Sequence, residues 1–171
     1  MKILAPNLYK IILTNKNMRT SSRNLYIIKG SERSLMIDTS WNVPECLLEM
    51  EQALNELSID CRNLDIFVTH NNVDHSGYVS FFTDRGARAF MNPVEIAASS
   101  DRYHRFYDDN DMRRSYTSEV GVTKERTPDA WQEIKAGADQ LARDNNVNFD
   151  FPFTPIAPGD RLSYGGYDLE V

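Results

Sequence analysis

One stretch constrains this chain more than any other. An apolar run, Leu64-Asp65-Ile66-Phe67-Val68, breaks directly into Thr69-His70-Asn71-Asn72-Val73-Asp74-His75-Ser76-Gly77. The run reads as a buried strand, and the residues after it read as a loop opening into a helix. Two of the chain's 3 histidines and an aspartate fall within six positions of that bend. A strand end holds irregular backbone on something rigid, and converging polar side chains need that support.

The elements around the bend alternate. Asn24 to Lys29 and Ser34 to Ile37 are β-prone, and Gly30-Ser31-Glu32 between them makes a turn, so the pair is expected to form a hairpin. Val43 to Leu57 spaces Leu47, Met50, Leu54 and Leu57 as a helix would, with Pro44 suited to its first turn. Ser76 to Phe82 is expected as a helix just past the cluster, Ala87 to Met91 as a strand, and Pro93 to Ala98 as the start of another helix. Strand and helix in alternation point to a mixed α/β sheet. Residues from about 99 to 146 are charged and polar and read as a helical insertion, with Tyr103–Tyr107 and Ala130–Leu141 its helical parts. His104 lies there among arginines and is read as surface. The segment from Asp150 to Ile156 returns to β character, and Gly165-Gly166 joins two final strands as a hairpin.

Composition narrows the partners. A length of 171 residues suits one domain, and a net charge of -6 argues against a phosphate-binding surface, so no nucleic-acid partner is expected. A small molecule or a cation is the expected guest. The patch Ile11-Ile12-Leu13 is too short for a signal or a membrane span, so no membrane partner is expected and the cytoplasm is the expected compartment. Cys46 and Cys61 form no Cys-x-x-Cys pair and read as reduced thiols.

His70, Asp74 and His75 at i, i+4, i+5 supply imidazole and carboxylate, donors that suit zinc or iron. An ion so held lowers the pKa of bound water toward ~7. Gly77 allows the helix to approach the loop closely. The plainer reading makes Asp74 a helix N-cap and the histidines incidental loop residues. The strand before them, the Asp-His pair and the small Ser76-Gly77 step together favour the metal reading.

The segment Thr69 to Gly77 resembles the metallo-β-lactamase signature Thr-His-x-His-x-Asp-His-x-Gly. Ser34-Leu35-Met36-Ile37-Asp38-Thr39 resembles that superfamily's early strand, whose last aspartate lies behind the metals, and Asp38 takes that position. Pro158 to Val171 resembles the hairpin after its helical region. The resemblance implies an αββα sandwich, of which this chain would be about the first half. It implies a site for zinc, or iron or manganese, in which His70 binds the first metal and Asp74 and His75 bind or orient at the second. Asp74 would also serve as catalytic proton acceptor.

Two departures from the pattern matter. Asn72 stands where the family usually carries a histidine ligand, and an amide oxygen is a weaker donor to zinc. Asn71 cannot replace it, because neighbouring side chains on extended backbone diverge. The family's Pro-Gly-His-Thr segment, bridging aspartate and last histidine would follow Tyr167–Val171, beyond this sequence. The implied site therefore holds one weakly bound ion or none. An apolar sheet face without its partner sheet would be exposed, and a homo-oligomer is expected to cover it. The expected function is metal-dependent hydrolysis of an ester, thioester, lactone, lactam or phosphodiester. The alternatives are a non-catalytic, oligomerising remnant of the fold and a di-iron redox relative.

Overall fold

The computed structural model describes residues 1–14, 22–95, 126–130, 132 and 151–171. The insertion expected at about 99–146, with its helical parts and His104, lies almost wholly outside them.

The chain opens with a hairpin. Strands β1 (Lys2–Ala5) and β2 (Leu8–Thr14) meet across Pro6-Asn7, where Asn7 takes φ 61°. Proline sets the first turn position and asparagine tolerates the left-handed second, which makes this a turn. Pro6 and Asn7 lie upstream of the apolar patch Ile11-Ile12-Leu13 and separate β1 from the strand that carries it. β3 (Ser22–Ile28) and β4 (Ser34–Ile37) form the expected antiparallel hairpin.

From β4 onward the sheet turns parallel. β5 (Leu64–Val68), β6 (Arg88–Met91) and β7 (Phe153–Pro155) follow in order, giving seven strands arranged β1 to β7. Helix α1 (Pro44–Glu56) links β4 to β5, and two short helices, α2 (Val73–Ser76) and α3 (Val79–Thr83), link β5 to β6. Pro44 occupies the first turn of α1, as expected. The buried stripe of α1 is Cys46, Met50, Ala53 and Leu54, with Leu57 buried just past its end, so Met50, Leu54 and Leu57 lie as expected and only Leu47 is half-buried. This face packs on Leu13, Leu25, Ile27, Met36, Ile66, Val68 and Ala89, which alternate along their strands as a one-sided core requires.

The opposite face carries a second layer. β8 (Arg161–Tyr164) and β9 (Tyr167–Glu170) form the expected glycine-turned hairpin, with Gly165 at φ 59° and Gly166 at φ 91°. The hairpin is a separate two-stranded sheet rather than an edge of the first. Tyr164 packs there with Ile28 and Leu35, against partly buried Leu8, Ile37 and Phe67. The expectation that this face stands open is therefore corrected in part, since the hairpin covers one end of it. Cys46 and Cys61 are free thiols, both pushed above the usual thiol range, chiefly by burial. Among the described residues no helix is long and apolar enough to cross a membrane.

Candidate functional site

Sheet register creates the site. β4 and β5 are parallel neighbours with Ile37 opposite Phe67, so both stop at one edge and the loops after them start side by side. Asp38 begins the first loop and Thr69 the second. Asp38 takes φ 63°, a left-handed backbone that aspartate tolerates better than most side chains. Its N–H donates to the Phe67 carbonyl at 2.8 Å. Its carboxylate accepts from the Thr69 N–H at 2.8 Å and from the Thr69 hydroxyl at 2.9 Å. The second carboxylate oxygen meets His75 Nδ1 at 2.8 Å. One aspartate thus ties both loop starts to the histidine beyond them.

Helix α2 is locked onto the first loop. The Thr39 N–H donates to the His75 carbonyl at 2.7 Å, and the Tyr78 N–H donates to the Thr39 hydroxyl at 3.2 Å. Gly77 is needed at this contact: a Cβ there would lie 2.3 Å from the Ser40 carbonyl oxygen and 2.7 Å from that of Val73. The single helix expected over Ser76–Phe82 is replaced by two, broken at Gly77-Tyr78. Asp74 and His75 therefore stand on α2 itself rather than on the loop before it. The N-cap position belongs to Asn72, whose side chain makes no capping bond, so Asp74 is not the cap. The Asn72 carbonyl accepts from the His75 and Ser76 N–H groups instead.

The network assigns both imidazole tautomers. The Thr69 hydroxyl proton is committed to the Asp38 carboxylate, so its oxygen accepts from His70 Nδ1 at 3.0 Å. His75 Nδ1 faces the Asp38 carboxylate, which can only accept. A neutral ring at either position carries its proton on Nδ1, which leaves the Nε2 lone pair for another partner. An oxygen holding Nδ1 is how proteins orient metal-ligating imidazoles. The two rings lie 4.0 Å apart between centroids at 48°, and His75 Nε2 is 3.6 Å from an Asp74 carboxylate oxygen.

The two imidazoles are donors of a kind that suits a divalent cation, whereas the Asp74 carboxylate is paired with the Arg23 guanidinium. Among the described residues no three His, Cys, Asp or Glu side chains close around a common point. Arg23 went unnoticed in the sequence, where nothing local marks it. It arrives through pairing: β3 runs on along β2 to Ser22, past its last pairing with β4 at Tyr26. Glu95 was also missed. It accepts from the Asn71 N–H at 2.9 Å and from the Asn71 amide at 3.1 Å at its carbonyl, so Asn71 is turned away from the histidines.

No family model matches this chain, and no curated protein does. Solved structures do. A metallo-β-lactamase family protein from Thermus thermophilus superposes with TM-score 0.66 at 21% identity, over 98% of this chain and 52% of that one. A β-lactamase domain protein from Burkholderia ambifaria gives 0.68 at 16% identity, over 98% and 47%. A subclass B3 metallo-β-lactamase of Bradyrhizobium japonicum gives 0.53 at 15% identity, over 99% and 49%. The chain spans about half the length of the structures it matches. At these identities the likeness establishes the fold, and the expected half of an αββα sandwich is the architecture observed.

Proposed function

We propose that this chain supplies one half of the reaction centre of a metal-dependent hydrolase of the metallo-β-lactamase type. The observation that carries this reading is the pair of imidazoles, each fixed at Nδ1 by an oxygen, which leaves Nε2 as the nitrogen for a cation. An isolated surface histidine needs no such support, and two linked to one carboxylate, His75 directly and His70 through the Thr69 hydroxyl, support the reading of a cation site. His70 and His75 are the proposed donors to zinc, iron or manganese, with Asn72 a weak donor at most. Such an ion would supply a water acidic enough to deprotonate near neutral pH.

The chain's own residues do the rest. Asp38 orients His75 directly and His70 through the Thr69 hydroxyl. Asp74 is the proposed proton acceptor and further ligand, once its carboxylate is released. The substrate class is a small ester, thioester, lactone, lactam or phosphodiester. The two free thiols suit a reducing compartment, and we place the protein in the cytoplasm.

The test is hydrolysis of generic ester and phosphodiester substrates by the chain with zinc, iron or manganese supplied in turn. Turnover that needs the metal and falls at least about 100-fold in His70→Ala supports the proposal. Turnover indifferent to chelator, or none with any of the three metals, counts against it.

A second reading has an observation behind it. Tyr26, Ile37, Phe67 and Phe90 lie in one register row on the sheet face away from the helices, all only partly buried. A row of this kind suits a second copy of the chain, and an oligomerising module without catalysis would use it. Oligomer size that ignores chelator, together with absent turnover, would favour that reading.

A further inference from the structure

We infer that Arg23 is the resident cation of this site: its guanidinium holds Asp74 in the place of a divalent ion and must leave before Asp74 can serve a metal. This deepens the proposed function and rests on it.

Arg23 is built in rather than stray. Leu25 and Ile27 put the core-facing side of β3 against the helices, and Arg23 lies two residues on along the same side. The next apolar side chain in that series would extend the core. An arginine instead overhangs the end of β4, because β3 keeps pairing with β2 to the Thr14–Ser22 position. Its guanidinium carbon sits 5.4 Å from the centre of the Trp41 ring, and Trp41 is almost fully buried. A buried ring on one side and the Asp74 carboxylate on the other fix the head group in place.

The chemistry of the pair sets its behaviour. A guanidinium does not deprotonate in the range where the fold exists, so it competes with a metal at every working pH. Its side chain is 46% exposed, so water is at hand to take it when it swings out. That makes it a displaceable occupant, not a permanent plug. The surrounding donors are in place without Asp74: His75 is held by Asp38 and His70 by Thr69. Removing the arginine should therefore free one ligand without disturbing the other two.

The experiment is a zinc titration against a chromophoric chelator, with native chain, Arg23→Gln, and the double variant Arg23→Gln with Asp74→Asn. It reads affinity and needs no turnover, so a failed hydrolase assay leaves it interpretable. Arg23→Gln is expected to bind zinc about tenfold tighter than the native chain, and the added Asp74→Asn to erase that gain. Equal affinity of native chain and Arg23→Gln, including no binding by either, overturns the inference, as does a gain that survives Asp74→Asn. If Arg23→Gln does not fold, Asp74→Asn alone serves. With Arg23 still in place it should change zinc affinity less than about twofold, whereas a tenfold loss contradicts the inference.

Discussion

At the scale of single residues, Asp38 concentrates the most consequence in one side chain. It gives up backbone freedom for a left-handed φ of 63° and makes four polar contacts across two loops. Asp38→Ala strands the Thr69 N–H, the Thr69 hydroxyl and His75 Nδ1 together. Urea denaturation should register a loss of about 2–4 kcal/mol, with Asp38→Asn losing less because it keeps the size and tolerates the backbone. Gly77→Ala forces its methyl against two carbonyl oxygens, and about 1–3 kcal/mol should be lost as α2 shifts off the loop. Gly77 was legible in the sequence as part of the small Ser76-Gly77 step after a histidine, and Asp38 through the resemblance of Ser34–Thr39 to the metallo-β-lactamase superfamily's early strand. The left-handed backbone of Asp38 was not, because no local pattern distinguishes it from an ordinary strand-ending aspartate.

At the scale of elements, the two layers are pinned through a charge that the sequence hid inside an apolar run. Asp65 is fully buried in β5 and accepts from Arg33 on the approach to β4, Arg88 on β6 and the Tyr164 hydroxyl on β8. Burial alone would raise its pKa. The hydrogen bonds from Arg88, Arg33 and Tyr164 outweigh that and hold it below the usual carboxylate range. The same burial and the bond to Asp65 push the Tyr164 hydroxyl well above its ordinary value. A carboxylate depressed in the fold contributes stability that is present above its unfolded pKa of about 3.9 and lost as pH falls through the folded value. Asp65→Asn should cost about 3–5 kcal/mol at neutral pH and flatten the acid limb of the stability curve. Tyr164→Phe should cost about 1–2 kcal/mol, read from the denaturation midpoint.

The elements differ in how far the sequence declared them. The β3–β4 and β8–β9 hairpins, α1, β5 and β6 follow from period and turn chemistry. The break between α2 and α3 does not, because Gly77 against Ser40 and Thr39 against the His75 carbonyl impose it from another part of the chain. The second layer was hidden for a similar reason. A hairpin's sequence says which strands pair, not which sheet face they will cover.

At the scale of the whole molecule, the described residues form seven strands with helices on one face and a small hairpin on the other, a platform whose candidate-site edge is set by parallel register. In the row Tyr26, Ile37, Phe67 and Phe90, Ile37 and Phe67 pack against the cluster around Tyr164, yet all four side chains stay only partly buried. We expect the chain to sediment as a homo-oligomer through this face, and Phe90→Lys to shift it toward monomer while the helix-side core stays intact. A native chain already monomeric at working concentration would contradict that expectation. The fold class was readable in the sequence because three separated segments carried it in order. The occupant of Asp74 was not, since Arg23 and Asp74 lie 51 residues apart and meet only when β3 overruns β4.

The proposed cation site needs two imidazoles held at Nδ1 with Nε2 left for the ion. Imidazole nitrogen NMR of the chain during a zinc titration reads this directly. The account predicts His70 and His75 protonated on Nδ1 before zinc, with both Nε2 resonances moving as zinc is added. A proton on Nε2 of His75, or Nε2 resonances that stay put at saturating zinc, would contradict it.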